Sequence, residues 1–245
     1  MQAWTSLRTL TRIEVKRMFR NIMPLVFNLF APASLLLLFG LLFESTRAYL
    51  MPGMLTFMLL NANLAGVAHA LVTQKEAGLL RHLFSTPLTP GVWLSSRLVA
   101  QLLLAAAQLA LILVTGIVFL DVPPPRNLIG TLVALVFCTV APLGLGLALG
   151  SLFHRVETAQ PVVMLASLAA AFLGGAFLPL DAAPPFLQYV AKAVPSTYMV
   201  RSLSRVMLEG AGLASVAVDL AVLLAWTVAS LGFGARHLQR HAAAR

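Results

Sequence analysis

Long apolar runs dominate the chain, and its polar positions collect in the short intervals between them. Six runs, approximately 23–43, 51–72, 98–120, 128–153, 159–178 and 213–235, are each long enough to cross a bilayer. A hydrocarbon core about 30 Å thick needs roughly 20 apolar residues at 1.5 Å rise each. Each run is predicted to be a spanning helix. The expected fold is an all-α integral membrane protein, with residues 1–245 forming a single transmembrane domain. The composition fits that reading, with 60% hydrophobic and 10% charged residues.

The intervals carry the remaining information. Residues 1–22 read as an interfacial amphipathic helix, in which Trp4, Leu7, Leu10 and Met18 recur at helical spacing among Arg8, Arg12, Lys16, Arg17 and Arg20. Such a helix is attracted to anionic headgroups. No small-residue cleavage site follows a short apolar region, so the first span is expected to stay in the protein. The 73–97 interval is long and polar. The 179–212 interval is long and semi-apolar, and two short helices punctuated by Pro195 are predicted there, too short and too charged to span. They read as an outer re-entrant or interfacial pair.

Charge orients the chain. Arg8, Arg12, Lys16, Arg17, Arg20, Lys75, Arg81, Arg97, Arg155, Arg236, Arg240 and Arg245 fall on one side of the six runs. Arg47, Arg126, Lys192, Arg201 and Arg205 fall on the other. Basic residues remain inside, so both termini are expected to be cytoplasmic in a cell inner (plasma) membrane. The net charge of +9 is therefore a topology signal, with no nucleic-acid partner implied. Cys138, the single cysteine, falls within the fourth run and reads as a packed core thiol.

The 73–97 loop contains the sequence EAGLLRHLFSTPLTP from Glu76 to Pro90. Glu76 is expected to open a helix, where its charge suits the N-terminal dipole. Leu79, Leu80, Leu83 and Phe84 form one apolar face, and Pro87 and Pro90 are expected to stop the helix. An apolar face exposed to the cytoplasm is best buried against a protein. The stretch resembles the coupling-helix loop of permease subunits of type-2 ABC transporters, mostly exporters. Glu76, Gly78, Leu79, Leu83 and Pro87 match its pattern of glutamate, glycine, leucine-rich turn and proline stop. The six-span layout with a basic first helix and an outer helical insertion extends the likeness to the whole chain.

That resemblance implies a cytoplasmic coupling helix between spans two and three, docked on a separate ATPase, with Arg81 as a further orienting charge. Arg12, Lys16 and Arg17 of the first helix would add an N-terminal ATPase contact. Two permeases, expected to be a homodimer, and two ATPase copies would make the working unit, with membrane lipids around it. ATP and Mg would be carried by the partner. The chain's own residues agree: its lysines follow Val15, Gln74 and Ala191, so it has no Gly-Lys phosphate loop and no cofactor site of its own.

Several single residues carry two readings each. Asn28, Asn61, Asn63 and His69 are candidates to line a translocation path, and interhelical hydrogen bonding accounts for them equally well. Asn61 and Asn63 lie about 200° apart on a helix and cannot both face one pore. Arg201 and Arg205, at i and i+4, either contact an outer substrate or headgroup or snorkel to the interface. Asp219 reads as interfacial, with an intramembrane proton or cation site as the alternative. Arg155 and Glu157 mark either a second ATPase contact or a solvated turn. His237 and His241 share a helix face but lack a third ligand for a metal. Gly146 and Gly150 form a small-x-x-x-small pair suited to close helix approach.

The resemblance and the sparse polar positions favour export of an amphipathic small molecule, drug or (glyco)lipid. The alternatives are a polysaccharide-exporting permease of the same family and an ion-coupled secondary transporter. The 14 Phe are scattered along the sequence, and Trp and Tyr number three each, which weighs against a sugar path. No Gly-x-Ser, His-Glu-x-x-His or Asp-x-x-Asp occurs, which weighs against hydrolysis within lipid.

Overall fold

A computed structural model describes residues 22–78, 90–180 and 183–243, together with Thr11, Arg12, Glu14, Lys16 and Arg20. Side chains at 24, 90–94 and 238–243 lie outside this description. Every regular element among the described residues is helical. The first is α1, Ile22–Leu42. A 3-10 turn at Glu44–Thr46 leads into α2, which runs through Arg47–Leu59, a π-helical stretch Leu60–Ala65, and Gly66–Glu76. Next come α3, Pro90–Val114, extended by a π-helical Thr115–Phe119, then α4, Leu128–Leu152, and α5, Val156–Leu173. Two short helices follow, α6 at Pro185–Ala191 and α7 at Pro195–Leu208, and α8, Leu213–Ala243, closes the fold.

Six of these helical segments are long and apolar enough to cross a membrane. They coincide with the six predicted runs, but their ends differ. The second is a 33-residue rod from Glu44 to Glu76. It stops because Gly78 adopts φ +70°, a conformation that disfavours side chains with a Cβ. The third starts at Pro90. That proline begins the helix, since its fixed φ and missing N–H suit a first helical position; whether it also stops a preceding helix lies outside the described residues. The fifth ends at Leu173, where Gly175 at φ +78° turns the chain.

The spans divide into an inner pair and an outer ring. In α2, 67% of the spanning window is buried, against 22% in α1 and in α5. α4 packs most extensively against α8 and then against α2. Glycines permit this approach. A Cβ on Gly146 would lie 2.6 Å from the carbonyl oxygens of Asn63 and Leu64, and one on Gly150 would lie 3.0 Å from Ala68. On the other face of α4, Gly144 makes room for the Ser230 hydroxyl of α8. The outward faces of α1, α5 and α8 expose Phe27, Leu41, Leu165, Phe172, Val218 and Val228. Lipid tails are as apolar as such side chains, so a bilayer leaves these faces without penalty.

The hairpins place the start of α1, the Glu76 end of α2, the start of α3 and the α4–α5 turn at one end of the bundle, here termed the base. α6 and α7 lie at the opposite end. α7 buries Met199, Val200, Leu203, Val206 and Met207 in the core, whereas α6 exposes Phe186, Tyr189 and Val190. Of the expected N-terminal interfacial helix, the five described residues are all helical; the remainder lies outside the description.

Candidate functional site

At the base, Lys75 and Glu76 end α2 beside the turn that joins α4 to α5. The Lys75 ammonium donates to the carbonyls of Gly150 at 3.0 Å, Ser151 at 2.5 Å and Phe153 at 3.1 Å. These are carbonyls that the end of α4 leaves without an intrahelical partner. The Glu76 carboxylate accepts from the Val156 backbone N–H at 3.2 Å, at the first residue of α5. Glu76 therefore does not open a separate helix. It closes α2 and places its charge at the N-terminus of α5, the favourable end of that dipole. Gly78 follows in a left-handed conformation, with open space around it. Leu79, Leu80, Arg81, Leu83, Phe84 and Pro87, the other residues expected to couple to an ATPase, lie outside the described residues.

The basic N-terminal segment comes close to the same end. Glu14 pairs at 3.8 Å with Arg97 of α3, whose side chain is largely buried. Arg12 and Lys16 are exposed, and Arg17 lies outside the description. In the α4–α5 turn, Arg155 and Glu157 are exposed.

The polar residues of the spans separate into different environments. Asn61 donates to the Phe57 carbonyl at 2.9 Å and is half-buried, while Asn63 donates to the Leu59 carbonyl at 2.9 Å and is buried. Both belong to the π-helical stretch of α2. Gln101 of α3 reaches across to donate to the Ala62 carbonyl in that stretch at 3.2 Å. Gln108, two turns further along α3, is fully buried, and neither atom of its amide has a hydrogen-bond partner in the structure. His69 is exposed and Asn28 half-buried. The four path candidates are thus not brought together. Gln101 and Gln108 did not emerge from the sequence reading, although seven-residue spacing puts them on one face of α3.

At the far end, Asp219 is 1% exposed. Its carboxylate is paired with Arg201 of α7, which donates from Nε at 2.8 Å and also from Nη2. α7 packs its Arg201 turn over α8, which covers Asp219 with protein. Arg201 is correspondingly held and does not snorkel freely, although half its side chain remains exposed. Its pKa is raised, first by the hydrogen bonds it donates to Asp219, so it stays cationic. Arg205 donates to the Ser215 carbonyl at 2.8 Å and lies 3.8 Å from Glu209. Both arginines thus tie α7 to the entry of α8. Cys138 is buried, with its sulfur 3.8 Å from the Ser202 hydroxyl.

Phenylalanines scattered in the sequence meet in space. Phe177 stacks on Phe172 at 4.6 Å and contacts Phe57 at 5.2 Å and Phe39 at 6.5 Å. This cluster joins α1, α2 and the end of α5. Among the described residues no group of three His, Cys, Asp or Glu could hold a metal ion. His237 stacks on Phe233, and the His241 side chain lies outside the description.

These features define a multi-pass all-α membrane protein with a polar base and without a nucleotide-binding motif in this chain. The chain belongs to the ABC-2 type transporter family, whose pattern matches residues 5–208. It is 22% identical over 191 residues to YvfS of Bacillus subtilis (strain 168), whose name reads "Putative transport permease", covering 75% of this chain and 78% of YvfS. It is 24% identical over 172 residues to the inner membrane transport permease YhhJ of Escherichia coli (strain K12), covering 67% of this chain and 46% of YhhJ. It is 23% identical over 188 residues to YbhS of the same strain, whose name reads "Probable multidrug ABC transporter permease", covering 76% of this chain and 50% of YbhS. The chain thus spans most of YvfS and about half of YhhJ and YbhS. Family membership is consistent with a membrane component of an ABC transporter.

Proposed function

We propose that this chain is the membrane-spanning subunit of an ATP-driven exporter, powered by a separate ATPase that grips the 73–97 loop. Both termini and the loop would be cytoplasmic, as the basic residues at the base favour. A second permease, in the simplest case another copy, would complete the path, and two ATPase copies would bind and hydrolyse ATP with Mg. The cargo is an amphipathic small molecule, drug or (glyco)lipid, in keeping with spans poor in polar groups and with the multidrug name carried by YbhS.

One observation carries the reading. The loop emerges from the most buried span, and that span runs as a single rod from Glu44 to Glu76. A rod of this kind, seated against α4 along Gly146 and Gly150, transmits a push at its base to the far end with little give. An ATPase that moves the loop would therefore move the core. By this reading Leu79, Leu80, Leu83 and Phe84 seat in an ATPase groove, with Glu76 and Arg81 at its edges.

The test is co-purification of an ATPase with the tagged full-length chain, followed by ATP turnover. Leu83→Asp is expected to leave the protein folded while weakening capture, since losing a buried interface anchor costs on the order of 2 kcal/mol or more. Undiminished capture and unchanged turnover by Leu83→Asp would count against docking through this loop.

A further inference from the structure

We propose that Lys75 and Glu76 are positioning residues that clamp the base of α2 to the α4–α5 turn, so that a displacement of the 73–97 loop reaches α4 and α5 as well as α2. The proposal rests on the ATPase-docking reading and goes beyond it by naming the linkage. Two adjacent side chains of one helix engage the end of a second helix and the start of a third. Lys75 puts a positive charge on three carbonyls at the end of α4, where the dipole is negative. Glu76 puts a negative charge on the first N–H of α5, where the dipole is positive. Each contact matches the sign of the terminus it meets, and charge-assisted hydrogen bonds are about twice as strong as neutral ones.

Position adds a second argument. The clamp sits at the last residues of α2, two residues before Gly78 turns the chain into the loop. Any force that passes from the loop into α2 crosses this point first. Immediately above it, Gly150 lets α4 lie against Ala68 of α2 at backbone distance. The three helix ends therefore have both a steric and an ionic reason to move together. The α4–α5 turn is short, from Phe153 to Arg155.

The experiment uses the full-length chain with its co-purified ATPase in lipid nanodiscs, followed by hydrogen–deuterium exchange with and without Mg-ATP and vanadate. In the wild type, exchange is expected to change both in the 73–97 loop and in the 150–158 turn. Lys75→Ala is expected to keep ATPase capture, ATP turnover and the loop response while losing the turn response; Glu76→Ala, whose carboxylate also borders the proposed ATPase groove, is expected to lose the turn response whatever its effect on capture. Lys75→Arg and Glu76→Gln retain a donor and an acceptor and are expected to restore it, an outcome that a general loss of fold would not give.

A turn response that survives in both alanine variants, or one that neither conservative variant restores, overturns the clamp. So does a turn that stays silent in the wild type while the loop responds. A wild-type loop that does not respond to Mg-ATP and vanadate overturns the docking reading, and the clamp with it.

Discussion

The Asp219 carboxylate is buried in α8 and held by a single arginine from another helix, so the two partners are unequal. Removing Arg201 strands a buried anion; removing Asp219 leaves a half-exposed cation that water can reach. Breaking a buried pair from the costly side takes about 3 kcal/mol, at the lower end of the usual range because Arg201 is partly solvated. Arg201→Ala is therefore expected to lower the unfolding midpoint in detergent more than Asp219→Asn does, and Arg201→Leu combined with Asp219→Leu should recover most of the loss. Equal effects of the two single variants would contradict this account. None of this was legible along the chain. Asp219 stands only six residues into its span, which reads as interfacial, and its partner belongs to a separate short helix. Along the sequence Lys75 is only one of the basic residues that orient the chain, because the carbonyls it meets carry no side-chain signature.

Helix by helix, hydropathy located the spans because a bilayer demands about 20 apolar residues in a row and few other structures use so many. It did not locate their ends. Gly78, Pro90 and Gly175 set those through backbone geometry, which an apolar average does not register. The Gly146–Gly150 pair was legible, since its spacing puts both residues on one helix face, and it does lie against α2. Gly146→Ala should cost about 1–3 kcal/mol, because the new methyl meets two backbone carbonyls that cannot step aside. Gly232→Ala in α8 meets nothing within 4 Å and should be neutral or stabilising by up to about 1 kcal/mol through helix propensity. Thermal unfolding of the two variants in one detergent checks the pair. The π-helical stretches had no counterpart in the pattern, since one added residue per turn barely changes the local run of apolar side chains. The Phe39–Phe57–Phe172–Phe177 cluster was hidden for a different reason: its members come from three helices and the bend after α5.

For the molecule as a whole, the arrangement is a rigid centre within a lipid-facing ring, with polar fastenings at both ends. Arg201 and Arg205 tie α7 down at one end, and Lys75 and Glu76 close the other. Between them lies the π-helical detour Leu60–Ala65, its Ala62 carbonyl held by Gln101. An α-helix advances about 100° per residue, so an inserted position acts like a slipped tooth on a screw thread. Everything from Gly66 down owes its compass heading to that slip. Inserting one residue just after Gly66, where no π-helical stretch absorbs it, would swing the Lys75 side chain by about a quarter turn. The expected result is a stable, membrane-inserted protein in which the Val156 amide exchanges faster, as hydrogen exchange would record. An unchanged Val156 amide would mean that the heading is set elsewhere.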